Sequence, residues 1–214
     1  TPCVQMLGTE QPFILDAGMG LGLYGEHVMK MPKEQHPTVF HIFFSHLHWD
    51  HVQGLPFFVP IYLPGREIHF YGRDPSSVED TVHRLFESPY SPIQGISNLG
   101  AKLHFYRVGD EGLDFEQAHI RCAATCHPHP NPESPTIAYR VSQDGRDFVY
   151  ATDHEAGLDA EADARVIALA TGANTLIHDA FYNPEKYKHH VGWGHSSFEQ
   201  AVRIATEARV NRLV

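Results

Sequence analysis

The sequence predicts an α/β protein, an αββα sandwich of two mixed β-sheets flanked by helices. Three observations predict it. The first half reads as short apolar strands separated by turns, with single helices between them. Four closely spaced strands follow between Lys102 and Thr152. The last third then changes to helix, strand, helix, and a β-rich body with such an ending suits two sheets sandwiched between helices. With 214 residues the chain has the volume for one ordinary domain with a real core. It is read as a single domain, 1–214, expected to be incomplete at both ends.

Taken in order, Pro12–Asp16 is a strand that ends in Asp16-Ala17-Gly18, and a helix follows over about Leu21–Met29. Thr38–Phe44 (TVFHIFF) is a continuous apolar run of strand length, which is the signature of a strand buried on both faces. Glu67–Tyr71 is a further short strand. Pro75–Glu87 places Val78, Val82, Leu85 and Phe86 at helical spacing behind Asp74, a suitable N-cap. The strands Lys102–Tyr106, His119–Thr125, Thr136–Ser142 and Asp147–Thr152 come next. Asp144-Gly145 makes the last two a hairpin. Ala160–Ala170 is an Ala-rich helix, Asn174–His178 a strand, and Ser196–Ala208 a helix capped by Ser196 or Ser197. Val210–Val214 reads as a strand just beginning.

Composition narrows the function classes. Hydrophobic residues are 42% and charged residues 20%, as in a soluble globular chain. No apolar run approaches the ~18 residues of a membrane helix. No signal peptide is visible, although the chain starts at Thr1. The net charge of -10 and the absence of a Lys/Arg cluster argue against a large RNA partner. Cys3, Cys122 and Cys126 make no disulfide framework, so a reducing, cytoplasmic setting is expected. The anomaly is histidine, 17 in all, the commonest metal-ligating side chain.

The decisive segment is Ser45-His46-Leu47-His48-Trp49-Asp50-His51, at the end of the apolar strand. His46 and His48 alternate in extended chain and point the same way. Asp50 and His51 begin a helix whose turn brings them alongside. Two imidazoles suit one zinc-type ion, and a carboxylate with a further imidazole suits a second. Trp49 is expected to pack beneath this loop, and Trp193 to line the pocket or simply to be exposed. Cys122 and Cys126 are expected to be buried structural cysteines.

The motif HLHWDH resembles the HxHxDH signature of the metallo-β-lactamase superfamily. The resemblance extends over nearly the whole chain: ILDAG around Asp16, TCHPHP around His127, VYATDHE around Asp153, IHDAFY from Ile177, and GHSS from Gly194. The later motifs are similar to those of the branch that contains phosphodiesterases and ribonuclease Z. The resemblance implies two divalent transition metals, of zinc type, with Mn2+ or Fe as alternatives. His46, His48 and His127 would hold the first metal, Asp50 and His51 the second, and Asp153 would bridge them. His129 competes with His127 for the third-motif role; His127, directly after its strand, is preferred. The diiron oxygen-reducing branch carries a glutamate where His48 stands. True β-lactamases usually lack the histidine at the position of His51. This chain follows neither, which favours hydrolysis.

In the phosphodiesterase branch the histidine matching His195 is catalytic, and the last metal ligand follows one helix and one strand later. That ligand is expected just past Val214. His195 is expected to be the general acid, Asp50 and Asp179 to assist at the catalytic centre, Asp179 by orienting His195. The helix start at Ser196 is expected to offer free N–H groups to a phosphate. Ribonuclease Z relatives insert a long tRNA-clamping arm between the residues matching His127 and Asp153, which here are 26 positions apart. The expected substrate is therefore a small or cyclic phosphodiester. A carbon ester, lactone or thioester, or a non-catalytic sensory module, is the alternative, and a homodimer is left open. Replacing His127 by Ala should remove one metal equivalent in elemental analysis, while His129→Ala should retain it. The reverse result would shift the ligand by two positions.

Overall fold

The computed structural model of the chain describes residues 2–89, 91–93, 95–116, 118–125 and 136–214. They fall into two compact units, Thr1–Arg107 and Val108–Val214, each built on its own mixed five-stranded sheet with helices against it. No helix among the described residues is long and apolar enough to cross a membrane.

In the first unit, β1 (Val4–Gln5) and β2 (Phe13–Leu15) pair antiparallel. From β2 the sheet continues in parallel through β3 (Val39–Phe43), β4 (Glu67–Gly72) and β5 (Lys102–Arg107). The apolar run of β3 is explained by burial of both its faces: Phe40 and Ile42 are fully buried, and so are His41 and Phe43 on the opposite side. The face carrying Phe40, Ile42, Ile68 and Phe70 packs with α1 (Gly20–Lys30) and α3 (Pro75–Leu85) through Leu21, Val28, Val78 and Val82. Asp74 caps α3 as its position predicts, accepting from Ser76 N–H at 3.1 Å. Between these helices lies the four-residue helix α2 (Trp49–Val52).

In the second unit, β6 (Leu113–Asp114), β7 (His119–Ala124), β8 (Ile137–Gln143) and β9 (Arg146–Ala151) form an antiparallel meander, and β10 (Thr175–His178) joins β9 in parallel. Gly145 (φ 70°) makes the expected turn between β8 and β9. Two helices, α4 (Ala160–Ala170) and α6 (Phe198–Glu207), bury Val166, Leu169, Ile204 and Ala205 against Ala138, Val149 and Leu176 of this sheet. Arg140, buried in β8, donates to the carbonyls of Leu169 and Thr171 at the end of α4, where a cation is favoured. A short α5 (Pro184–Tyr187) precedes the last loop. The segment expected to be a nascent strand makes a single parallel bridge, Leu213 to Leu176, beside β10.

One buried group fixes an acid limit on the first unit. His41 Nδ1 lies 2.9 Å from the Tyr71 hydroxyl and Nε2 lies 2.7 Å from Gln11 Oε1. A neutral ring fits both, accepting from the hydroxyl and donating to the amide oxygen. Burial, reinforced by the neighbouring His69, pushes the His41 pKa down from 6.5 to about 4. The unfolded chain therefore takes a proton here below about pH 6.5, which the folded chain refuses until about pH 4. Stability is complete above this window and declines as the pH falls through it. Urea unfolding from pH 7 to 5 should show His41→Gln losing less stability than the wild type, by at most ~1.4 kcal/mol per pH unit. Parallel pH profiles would contradict this account.

Candidate metal centre

In the first unit the candidate ligands begin where β2 ends. Asp16 leaves the strand with φ 61°, a left-handed turn that aspartate tolerates better than most residues. Its carboxylate, fully buried, accepts from Ser45 N–H (2.8 Å), Ser45 Oγ–H (2.7 Å) and His51 Nδ1–H (2.8 Å). Holding the His51 proton on Nδ1 leaves Nε2 as the lone-pair nitrogen, the arrangement that orients an imidazole for a metal. Ser45 Oγ also lies 3.0 Å from His46 Nδ1, so His46 likewise presents Nε2. His46 Nε2 and His48 Nδ1 are 2.8 Å apart, with their ring planes inclined at 74°. Donor atoms of His46 and His51 lie within 4.8 Å of each other. Asp50 Oδ2 stands 3.4 Å from His51 Nε2 and is half exposed. A set of imidazole nitrogens and one carboxylate converging in this way fits a zinc-type cation.

Close packing holds the loop there. Ala17 N–H donates to the His51 carbonyl at 2.7 Å, and Gly54 N–H to the Ala17 carbonyl at 2.8 Å. A Cβ on Gly54 would sit 2.0 Å from the Gly18 carbonyl oxygen, so only glycine lets α2 lie against the Asp16 turn.

The second unit contributes a separate cluster, Asp153, Asp179 and His195, whose donor atoms lie within 4.8 Å of one another. Asp153 follows β9 with φ 48°, repeating the left-handed exit seen at Asp16, and is buried. Its Oδ1 accepts from Thr152 Oγ–H at 2.7 Å. Asp179 Oδ2 lies 2.6 Å from His195 Nδ1, and Oδ1 accepts from Ser196 N–H (3.0 Å) and Phe181 N–H (3.1 Å). Phe181 stacks on the His195 ring with centroids 5.0 Å apart. The Asp179 side chain is 5% exposed and that of His195 28%, so an anchored carboxylate holds an accessible imidazole with Nε2 outward.

The structure thus brings together His46, His48, Asp50 and His51 in one unit, and Asp153, Asp179 and His195 in the other. His127, its rival His129 and Cys126 lie outside the described residues. Cys122 is buried, as expected. Two readings need correction. Trp49 does not pack beneath the metal loop; it is 65% exposed, and with Leu47, Met19 and Phe57 it lines a cavity of about 810 Å³ in the first unit. The N–H groups of Ser196, Ser197, Phe198 and Gln200 at the start of α6 already have partners within the chain. Ser196 N–H is held by Asp179, and Ser197 and Gln200 close a reciprocal capping box. Trp193 is exposed and meets His190 edge-on.

Sequence reasoning missed the residues that support the site. Glu155 is fully buried and accepts from Gly192 N–H and Gly194 N–H, both at 2.6 Å, and from the Tyr187 hydroxyl at 3.0 Å. That carboxylate fastens the loop that carries His195. Its only signal was an acidic residue directly after Asp153-His154. Next to it, Asp163 lies 3.1 Å from His154 Nε2 and accepts from Gly157 N–H and Arg203. Burial raises the Asp163 pKa, but bonds from His154, Arg203 and Gly157 outweigh it and bring it down to about 2.

Comparison with known proteins identifies the family. A family model described as beta-lactamase superfamily domain matches residues 12–214. Ribonuclease Z of Prochlorococcus marinus (strain MIT 9303) is 26% identical over 231 residues, spanning 81% of this chain and 67% of its own length. Ribonuclease Z of Lactococcus lactis is 25% identical over 225 residues, spanning 81% of this chain and 68% of its own. Among solved structures, the short form of human tRNase Z superposes with TM-score 0.68 at 20% identity, covering 99% of this chain and 83% of that one. A diphosphatase of the PhnP family gives TM-score 0.67 at 17% identity, covering 99% and 73%. At these identities the structures bear on fold alone.

Because Asp16 sets the orientation of His51, Asp16→Asn should weaken metal binding by ~10–100-fold, the usual cost of losing a carboxylate behind a ligating histidine. Zinc titration of the chelator-stripped protein measures this. Unchanged affinity would mean that Asp16 serves only to join strand ends.

Proposed function

Because the chain belongs to the beta-lactamase superfamily, we propose that it is a two-metal phosphodiesterase acting on a small or cyclic phosphodiester. His46, His48 and His127 would hold one divalent ion of zinc type and Asp50 and His51 another, with Asp153 as a further carboxylate ligand. When bound, two such ions lower the pKa of a water towards ~7 and neutralise developing charge on phosphate oxygens. The chain's own residues do the rest. Asp16 and Ser45 keep the His51 and His46 protons on Nδ1. Asp179 holds the His195 tautomer, and a proton on His195 Nε2 is the one passed to the departing oxygen.

The observation that carries this reading is the His195–Asp179 pair at 2.6 Å. An alkoxide leaving from phosphorus is a strong base and needs a proton. A histidine oriented by a buried carboxylate and still solvent-accessible supplies one. A carbon ester, lactone or thioester remains the alternative for the same donor set. The relatives are named for hydrolytic activities, which favours an enzyme over a non-catalytic module.

A second reading follows from the relatives' name. The expectation against a large RNA finds no support in proteins called ribonuclease Z, and cleavage of an RNA end is therefore carried as the competing substrate. In favour of the small substrate, most of the interval between His127 and Asp153 is occupied by the β8–β9 hairpin, leaving little chain for a clamping arm.

The test uses full-length protein, loaded with zinc, on nitrophenyl phosphodiesters, on cyclic nucleotides and on a tRNA precursor. The proposal expects turnover of the small diesters that chelation abolishes. His195→Ala should keep its metals and lose ~10²–10⁴-fold on poor leaving groups, but much less on nitrophenolate, which needs no proton. Equal losses on both, with one metal equivalent gone, would make His195 a ligand. Activity confined to the RNA would overturn the small-substrate reading.

A further inference from the structure

The first unit holds a second constellation of metal-ligating side chains, and it lies away from the HxHxDH loop. Glu67, His69 and His104 each offer one donor atom, all within 4.8 Å of one another. The strand pattern creates the cluster. Glu67 and His69 are two apart on β4 and so share a face. His104 on β5 is the register partner of His69. This is the face opposite Ile68 and Phe70, which pack with the helices. His69 also pairs with His41 on β3, five residues before His46, or roughly 16 Å back along the strand at ~3.3 Å per residue. The two sites cannot share an ion.

Distances within the cluster suit a cation. His69 Nε2 stands 3.6 Å and His104 Nε2 3.4 Å from Glu67 Oε2. In a tetrahedron with ~2.0–2.1 Å bonds, ligand atoms are roughly 3.3–3.4 Å apart. Both nitrogens are shielded from solvent, and neither has a hydrogen-bond partner of good geometry. Two solvent-shielded ring nitrogens facing one carboxylate leave polar groups poorly satisfied, which is costly. A shared cation removes that cost. The carboxylate side chain is 42% exposed, which gives an entry path and leaves a fourth position for water.

We propose that Glu67, His69 and His104 form an additional zinc-type site, with two imidazoles, one carboxylate and a solvent ligand. Its ion joins β5, the edge strand of this sheet, to β4. Imidazole with carboxylate selects a borderline transition metal over Ca2+ or Mg2+. An edge strand tied to its neighbour is protected against fraying and against pairing with another chain. The site is independent of the hydrolytic reading and takes no part in that reaction.

Zinc counting on the intact protein tests it. Chelator-stripped wild type is reloaded with zinc, freed of excess metal and analysed for metal and protein. His104→Gln should hold one equivalent less than the wild type, with hydrolysis of nitrophenyl diesters unchanged. Glu67→Gln, at the exposed start of β4, keeps both rings and guards against misfolding. In zinc titrations it should weaken one binding event at least about tenfold and leave the others in place. Adding zinc should raise the melting temperature of wild type more than that of either variant. Variants matching the wild type in zinc content and in isotherm would overturn the proposal.

Discussion

The HxHxDH loop of the first unit depends on one buried carboxylate. Asp16 is fully buried, where an unsupported charge would cost several kcal/mol. Its bonds to Ser45 and His51 are charge-assisted and worth roughly 1.5–3 kcal/mol each, enough in sum to offset the desolvation. Those same bonds join the end of β2 to the end of β3 and to α2. The group that makes the turn stable is therefore also the group that selects which nitrogen of His51 is presented. Fold and chemistry share a single anchor, and Gly54 lets the backbone come close enough to use it.

The second unit repeats the device with different parts. Asp153 leaves β9 in the same left-handed conformation with which Asp16 leaves β2. Such backbone is sparsely populated outside glycine, and its presence at two strand-terminal aspartates marks positions where aiming a carboxylate matters more than local ease. Asp179 then does for His195 what Asp16 does for His51, accepting from Nδ1 and from neighbouring N–H groups. In each unit a carboxylate behind an imidazole fixes its orientation; the His51 ring stays buried, while the His195 ring is accessible.

Much of this was legible in the residues, and the part that was not has physical reasons. The helix behind Asp74 was readable because its apolar residues recur at helical spacing, and α6 because a serine caps it, whereas the four-residue α5 is too short to carry a period. The HxHxDH loop was readable because four ligand-type residues crowd into six positions after an apolar strand. Trp49 misled because size suggests burial, whereas a four-residue helix has too little surface to cover an indole. Glu155 was illegible because its partners are backbone N–H groups of glycines 37 and 39 residues away, which carry no side-chain signature. His69 and His104 looked scattered because they meet only across a strand pairing that the sequence does not print.

The Glu155 clasp has a consequence for how such a protein can change over generations. It grips the loop before His195 by the main chain at Gly192 and Gly194, while the side chains of Val191 and Trp193 stand exposed. Their identities are uncoupled from the anchoring. Mutation can therefore sample new surfaces beside His195 without loosening the residue itself, and the pairing of His195 with Asp179 is inherited intact while its surroundings drift.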